Sequence, residues 1–405
     1  MKLICDEKNC TGCGACKYIC PKKCIELKEN CEGFLYPYIK SDACTACGLC
    51  KKVCPILNPV SKKQSQFYMC WNQDDNAIKN SSSGGAFSAL AKVIFNKNGV
   101  VIGAYQSYNP NSVYHTIIES YEEIDKVRLS KYNQSDLKDC FIQIRNYMLN
   151  GIPVLFCGTA CQIGGLLNYI NLSKARNCHS LLYTVDVLCH GVTSQTVVNS
   201  FLACKENKYR KKISMFFFRV KTTKEGWKSG NSTRMKLIFE DGTEKISSPT
   251  TDTFFIGFNN NTFLRESCYN CKYCGQNRVS DFTIADYWGV PEDTVPKEQL
   301  LKGISILTVN NERALNIICE LKKYMFIKKI DSSIAIKNNR SFSEPNCRPK
   351  ERDQFFQLLN VKPYDNIIKE LFFKQYIYGK IKSIIGPNNV RRIKLLLKRR
   401  KSNEK

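Results

Sequence analysis

The chain has 405 residues, 43% of them hydrophobic, and a formal net charge of +25. That length predicts a sizeable core and more than one domain, and without a run of 18 apolar residues no membrane-spanning helix is predicted. Only 16 of the 61 basic residues are Arg, the usual guanine reader, so the charge predicts a Lys-rich surface, an anionic cofactor or an acidic redox partner, and no nucleic acid.

Twenty-three cysteines and three histidines narrow the chemistry further. The opening MKLICDEKNC lacks the apolar segment of a secretory signal, which predicts a cytoplasmic, reducing setting. There, clustered cysteines read as metal ligands and not as a disulfide framework. With so few imidazoles, proton-shuttle catalysis is poorly supplied, whereas chemistry carried by clusters and an organic cofactor needs none.

The first predicted element is a doubled motif. CTGCGACKYICP at Cys10–Pro21 and CTACGLCKKVCP at Cys44–Pro55 both follow C-x2-C-x2-C-x3-C-P. In this spacing three cysteines of one run grip three corners of a 4Fe–4S cubane, and the fourth, before proline, crosses to the other cluster. The predicted ligand sets are Cys10, Cys13, Cys16 and Cys54, and Cys44, Cys47, Cys50 and Cys20. Gly12, Gly14 and Gly48 let the loops curl. Zinc would favour paired C-x2-C units across a longer loop, which this is not. Cys5, Cys24 and Cys31 fall outside the rhythm and read as ordinary buried thiols.

Asn58–Gln66, NPVSKKQSQ, reads as a linker. Beyond it strands alternate with helices. NGVVIGAYQ, GIPVLFCG and LLYTVDVLCHG are strand-like runs, and MKLIFEDGTEKIS carries a hairpin signal at Asp241-Gly242. The predicted class is a mixed α+β and α/β chain, in which a small bacterial-type ferredoxin domain is fused to a larger α/β body.

Five stretches of the body and tail carry local chemistry. NSSSGGAFSALAKVIF places Ser82, Ser83, Gly84 and Gly85 before a helix, an arrangement that serves as an N-cap or receives a phosphate. VLFCGTACQIGGLLNYI reads strand, turn, helix, but has no G-x-G-x-x-G. Its Gly158, Thr159 and Gly164 permit close backbone approach, and Cys161 is a nucleophile, a cluster ligand or a buried thiol. VDVLCHGVTS puts Cys189 and His190 past a strand end. ESCYNCKYCGQNRVSDFTIADYWG carries Cys268, Cys271 and Cys274, then Arg278, Asp281, Asp286 and Trp288; the triplet asks for a further ligand, to a cluster or to zinc. The last residues, IKLLLKRRK, set Ile393, Leu396 and Leu397 among basic residues, as in a solvated basic end or a peripheral contact with an anionic membrane.

In this order the motifs resemble the coenzyme F-420 hydrogenase/dehydrogenase beta-subunit family with an N-terminal ferredoxin domain, over roughly residues 1–345. The resemblance implies a flavoprotein oxidoreductase that binds FAD and a third 4Fe–4S cluster. It implies Cys161, Cys189, Cys268 and Cys271 as ligands of that cluster, with Cys274 the alternative, and Ser82, Ser83, Gly84, Gly85, Gly158, Thr159 and Gly164 as flavin contacts. Electrons would pass between a two-electron carrier, such as a deazaflavin, and a ferredoxin-like or enzyme partner. The alternative is an electron-carrier subunit with no substrate of its own, serving a partner enzyme, as in polysaccharide biosynthesis. The domains expected are 1–57 (ferredoxin), 67–155 and 156–345 (the two parts of the beta-subunit body, the second with the third cluster) and 346–405 (a helical basic tail). This chain departs from the family in reading GTACQ for GTPCQ, and in the extra thiols Cys157 and Cys274.

Overall fold

A computed structural model of the chain describes residues 4–221, 227, 234–248 and 250–385. Thirteen strands follow in chain order among them: β1 Ile25–Glu29, β2 Leu35–Ile39, β3 Gln66–Asn72, β4 Val100–Tyr108, β5 Asn111–Ile118, β6 Val154–Thr159, β7 Leu182–Val187, β8 Ile213–Val220, β9 Arg234–Phe239, β10 Glu244–Ile246, β11 Phe282–Asp286, β12 Ser305–Val309 and β13 Met325–Lys329. They form three sheets, in two compact units. The three apolar runs read as strands are β4, β6 and β7, so the mixed α/β class expected from the sequence is the one the chain adopts.

The first unit comprises residues 1–198, 221–232 and 264–347. Its main sheet has eight strands in the order β13-β3-β12-β11-β7-β6-β4-β5. The inner strands β11, β7, β6 and β4 are mutually parallel and therefore end on one edge. Alternation explains how the sheet is covered. Val100, Ile102, Val154 and Phe156 point into a core shared with the helices Cys140–Leu149 and Ala160–Asn171 and with Cys13, Cys16 and Cys54. Val101 and Leu155 point the other way, against the helices Ala86–Phe95 and Glu312–Leu321. Both faces are buried, which is why these strands are apolar throughout.

Ahead of that sheet, β1 and β2 form a hairpin flanked by two five-residue helices, Ala15–Ile19 and Leu49–Val53. The segment 58–66, which reads as a linker, is instead pinned along its length. Lys63 pairs with Arg278 through both backbone groups, and Ser65 donates to the carbonyl of Gln276. This strap holds the cysteine-bearing loop 268–278 in place.

The second unit comprises residues 199–220, 233–263 and 348–405. It has a three-stranded antiparallel sheet, β10-β9-β8, and the predicted hairpin turns at Asp241-Gly242, where Gly242 has φ 79° and Asp241 caps Thr243. Its core is aromatic, with Phe254 5.5 Å from Phe201 and 5.6 Å from Phe263. Inside it Lys205 pairs with Asp365 at 2.9 Å. The C-terminal part is helical over Glu351–Leu359, Tyr364–Leu371 and Phe373–Ile385. The basic stretch around Ile393, Leu396 and Leu397 lies outside the described residues. Among the described residues no helix is long and apolar enough to cross a membrane.

Candidate iron–sulfur site

The two N-terminal repeats fold alike. In each, a glycine in the left-handed region (Gly14, φ 71°; Gly48, φ 75°) opens a short helix, and the cysteine before proline (Cys20, Cys54) closes it. Two residues after each first cysteine the chain again needs a left-handed residue. The first repeat supplies Gly12 at φ 66°, the second Ala46 at φ 53°.

The surroundings of the two sets differ. Cys10, Cys13, Cys16 and Cys54 are each less than a tenth exposed. Cys44 and Cys47 are exposed, and Cys50 and Cys20 are half-buried. Body residues press on the first set from two sides. A Cβ on Gly12 would stand 2.7 Å from Nε2 of Gln134 and 2.9 Å from Nη1 of Arg265. A Cβ on Gly165, in the helix Ala160–Asn171, would stand 2.8 Å from Sγ of Cys13.

Cys161, Cys189, Cys268 and Cys271 also come together. Cys161 lies in the first turn of the helix after β6, Cys189 two residues past β7, and Cys268 and Cys271 in the loop after Arg265. They stand within electrostatic reach of one another. Cys161 also feels Cys13, so the first and third thiol sets adjoin. Tyr273, against Gly164, faces Cys161 and Cys271 of one set and Cys13 and Cys54 of the other.

The donor chemistry fits a cluster. Burial pushes the thiols of Cys13 and Cys268 up to about 12, so thiolates there need positive charge from outside the protein, which iron supplies. Arg265 carries the complementary sign. Its side chain is 1% exposed and donates from Nε to the carbonyl of Cys10 (2.8 Å), from Nη1 to Oε1 of Gln134 (2.9 Å) and from Nη2 to the carbonyl of Leu35 (3.0 Å). Among the described residues it forms no ion pair. A buried guanidinium with no carboxylate partner, set where it lowers the Cys10 thiol, calls for a nearby anion, and thiolate-ligated cubanes, each of net charge about −2, would provide one. Among the described residues no three His, Cys, Asp or Glu side chains converge to hold a single metal ion; a cubane instead presents separate iron corners, one per thiol.

Sequence reasoning missed Arg265, Gln134 and Tyr273, because each is defined by contacts across long stretches of chain. It also read Cys5 and Cys24 as unrelated to the clusters. Cys24 lies with its sulfur 3.4 Å from that of Cys20, and Cys5 lines one cavity with Cys10 and Cys54. Cys31, expected to be buried, is exposed. The neighbouring Cys274 thiol holds the Cys271 thiol down to about 6.

The other singled-out residues hold the scaffold. Arg278 ties the cysteine loop to β7 through a buried 2.9 Å pair with Asp186 and a 2.7 Å bond to the carbonyl of Tyr273. Asp281 accepts from the backbone and hydroxyl of Thr184, and Asp286 from the Trp227 indole, which stacks on Trp288. His115 donates to the carbonyl of Cys157 and accepts from Ser135, and burial lowers it to about 4. It is a neutral core histidine.

The glycine- and serine-rich stretches are engaged internally. Ser82 accepts from Ser130, Ser83 donates to the carbonyl of Ile304, and a Cβ on Gly84 would strike the carbonyl of Cys70. Gly85 (φ 82°) opens the helix Ala86–Phe95 without a side-chain cap, and Lys221 donates to the carbonyl of Ser83 beside it. Thr159 and Gln162 form a capping box. Gly158 faces Phe156 and Gln162, and Gly164 faces the Tyr273 hydroxyl.

Comparison with known proteins returns two family matches. Residues 9–57 match the 4Fe-4S dicluster domain, and residues 153–335 match the C terminus of the coenzyme F420 hydrogenase/dehydrogenase beta subunit. No curated protein matches. Among solved structures the chain is similar to one from the F420-reducing NiFe hydrogenase complex of Methanosarcina barkeri, at 14% identity and a TM-score of 0.46, covering 78% of this chain and 94% of that one. The chain thus carries one region that matches the 4Fe–4S dicluster domain and another that matches the C terminus of the coenzyme F420 hydrogenase/dehydrogenase beta subunit, a pairing that supports iron–sulfur electron transfer.

Proposed function

We propose that the chain carries electrons between a two-electron carrier and a one-electron partner, through three 4Fe–4S clusters and a bound FAD. Cys10, Cys13, Cys16 and Cys54 would hold the first cluster, Cys44, Cys47, Cys50 and Cys20 the second, and Cys161, Cys189, Cys268 and Cys271 the third. The carrying observation is the grading of the three sets. The second is half open, with Cys44 and Cys47 exposed, the first is buried, and the third adjoins the first across Tyr273 and Gly165. A path from a docking partner inward would enter at Cys44 and Cys47, pass the first set and reach the third at the ends of the parallel strands, where open α/β sheets bind ligands.

A flavin, when bound, converts hydride traffic into single electrons. The support for one is local. The helix Ala86–Phe95 begins without a side-chain cap, and the ammonium of Lys221 is held at the same loop. Amides and a cation of this kind suit a pyrophosphate. The hydroxyls of Ser82 and Ser83 and the amide of Gly84 are committed within the protein, so the anion would be met by backbone amides of residues 85–87.

The test is anaerobic purification with extracted-cofactor identification, followed by reduction of a viologen dye with reduced coenzyme F420 as donor. The reading expects about one FAD per chain and dye reduction by the isolated protein. Clusters without flavin, and no dye reduction, would favour the partner-dependent electron-carrier subunit.

A further inference from the structure

Five thiols, not four, line the cavity of the first set. Its walls are Cys5, Cys10, Cys13, Cys16 and Cys54 with apolar neighbours such as Ile4. Four corners of a cubane take four thiolates, so one of these sulfurs is surplus. Local chain geometry puts it there. Ile4 is 5% exposed and anchors the segment, and the 3-10 turn Glu7–Asn9, capped by Asp6, reverses the chain so that the amide of Cys10 bonds the carbonyl of Asp6 at 3.0 Å. The Cys5 side chain then faces the same cavity as Cys10 and Cys54. An ordinary buried thiol has no reason to line the same cavity as four ligand positions.

We propose that Cys5 is a reserve ligand of the first cluster, able to take the corner held by Cys10 or by Cys54. The inference rests on the ligand assignment given above. In the exchange Cys10 would leave its iron as a thiolate and accept the proton that Cys5 carries across the shared cavity. Cys5, now a thiolate, takes the vacated corner. One iron–sulfur bond breaks, one forms, and no electron changes hands. When Cys10 is absent, the proton goes to solvent.

The experiment compares full-length wild type with Cys10→Ala, Cys54→Ala, Cys5→Ala and the double variants Cys5→Ala/Cys10→Ala and Cys5→Ala/Cys54→Ala. All are purified anaerobically and read by iron and acid-labile sulfide content and by electron paramagnetic resonance. Cys5→Ala alone keeps every cluster. Cys10→Ala and Cys54→Ala keep wild-type iron and a four-iron signal, whereas each double variant loses about four irons or converts that signal to a three-iron one. The remaining clusters report that each variant has folded. A single variant that loses as much iron as its double, or a double that keeps as much as its single, overturns the proposal. A wild type with no cluster in this set would sink the ligand assignment itself.

Discussion

The two halves of the cysteine repeat have one backbone and two environments. The first is packed under body residues; the second is open to solvent at Cys44 and Cys47. At the matched position, Gly12 has no room for a Cβ, while Ala46 keeps the same left-handed conformation with a side chain. The motif fixes the loop, and what surrounds the loop decides whether the cluster is an internal relay or a point of entry. Burial withholds water from the first set and places Arg265 against it, so the two clusters should differ in potential and in lability.

The largest expected effect is loss of a cluster with its surroundings. Cys13→Ala should remove about four irons and, because Cys13 belongs to the main core, also lower the thermal midpoint of the first unit. Cys47→Ala should remove about the same iron with little change in that midpoint. Iron analysis alongside calorimetry checks both, and equal thermal losses would erase the contrast.

Arg265→Met comes next. Without the guanidinium the reduced, more negative clusters lose their stabilising charge, so the potentials of the first and third clusters should fall while that of the second stays. A redox titration followed by paramagnetic resonance separates the three. A uniform shift would mean that Arg265 only packs.

Smaller effects come from the matched backbone position. Gly12→Ala should cost about 2–4 kcal/mol, combining left-handed strain with overpacking against Gln134 and Arg265. Ala46→Gly should change stability by about 1 kcal/mol or less, because relief of strain is offset by unfolded-chain entropy. Chemical denaturation of both variants sharpens the comparison.

Much of this was legible in the residues. The repeat was written in its spacing, β4, β6 and β7 in apolar runs between glycines, and the β9–β10 turn in Asp241-Gly242. Local patterns could not reveal that β3 sits between β12 and β13, since that pairing joins the start of the body to its end. Nor could they show that 58–66 is a strap, because a polar, Pro-containing stretch looks the same whether its amides face water or Arg278. Cys5 and Cys24 carry no spacing signal, since each comes beside the motif cysteines through a turn. Arg265 looks like a surface cation until its three carbonyl and amide partners, from three distant segments, are assembled around it.

The most direct measurement is the iron and acid-labile sulfide content of anaerobically purified wild type beside Cys189→Ala. Three clusters predict about twelve of each in the wild type and about eight in the variant. About eight in both would confine the clusters to the ferredoxin segment, and bound zinc in their place would contradict the account at its root.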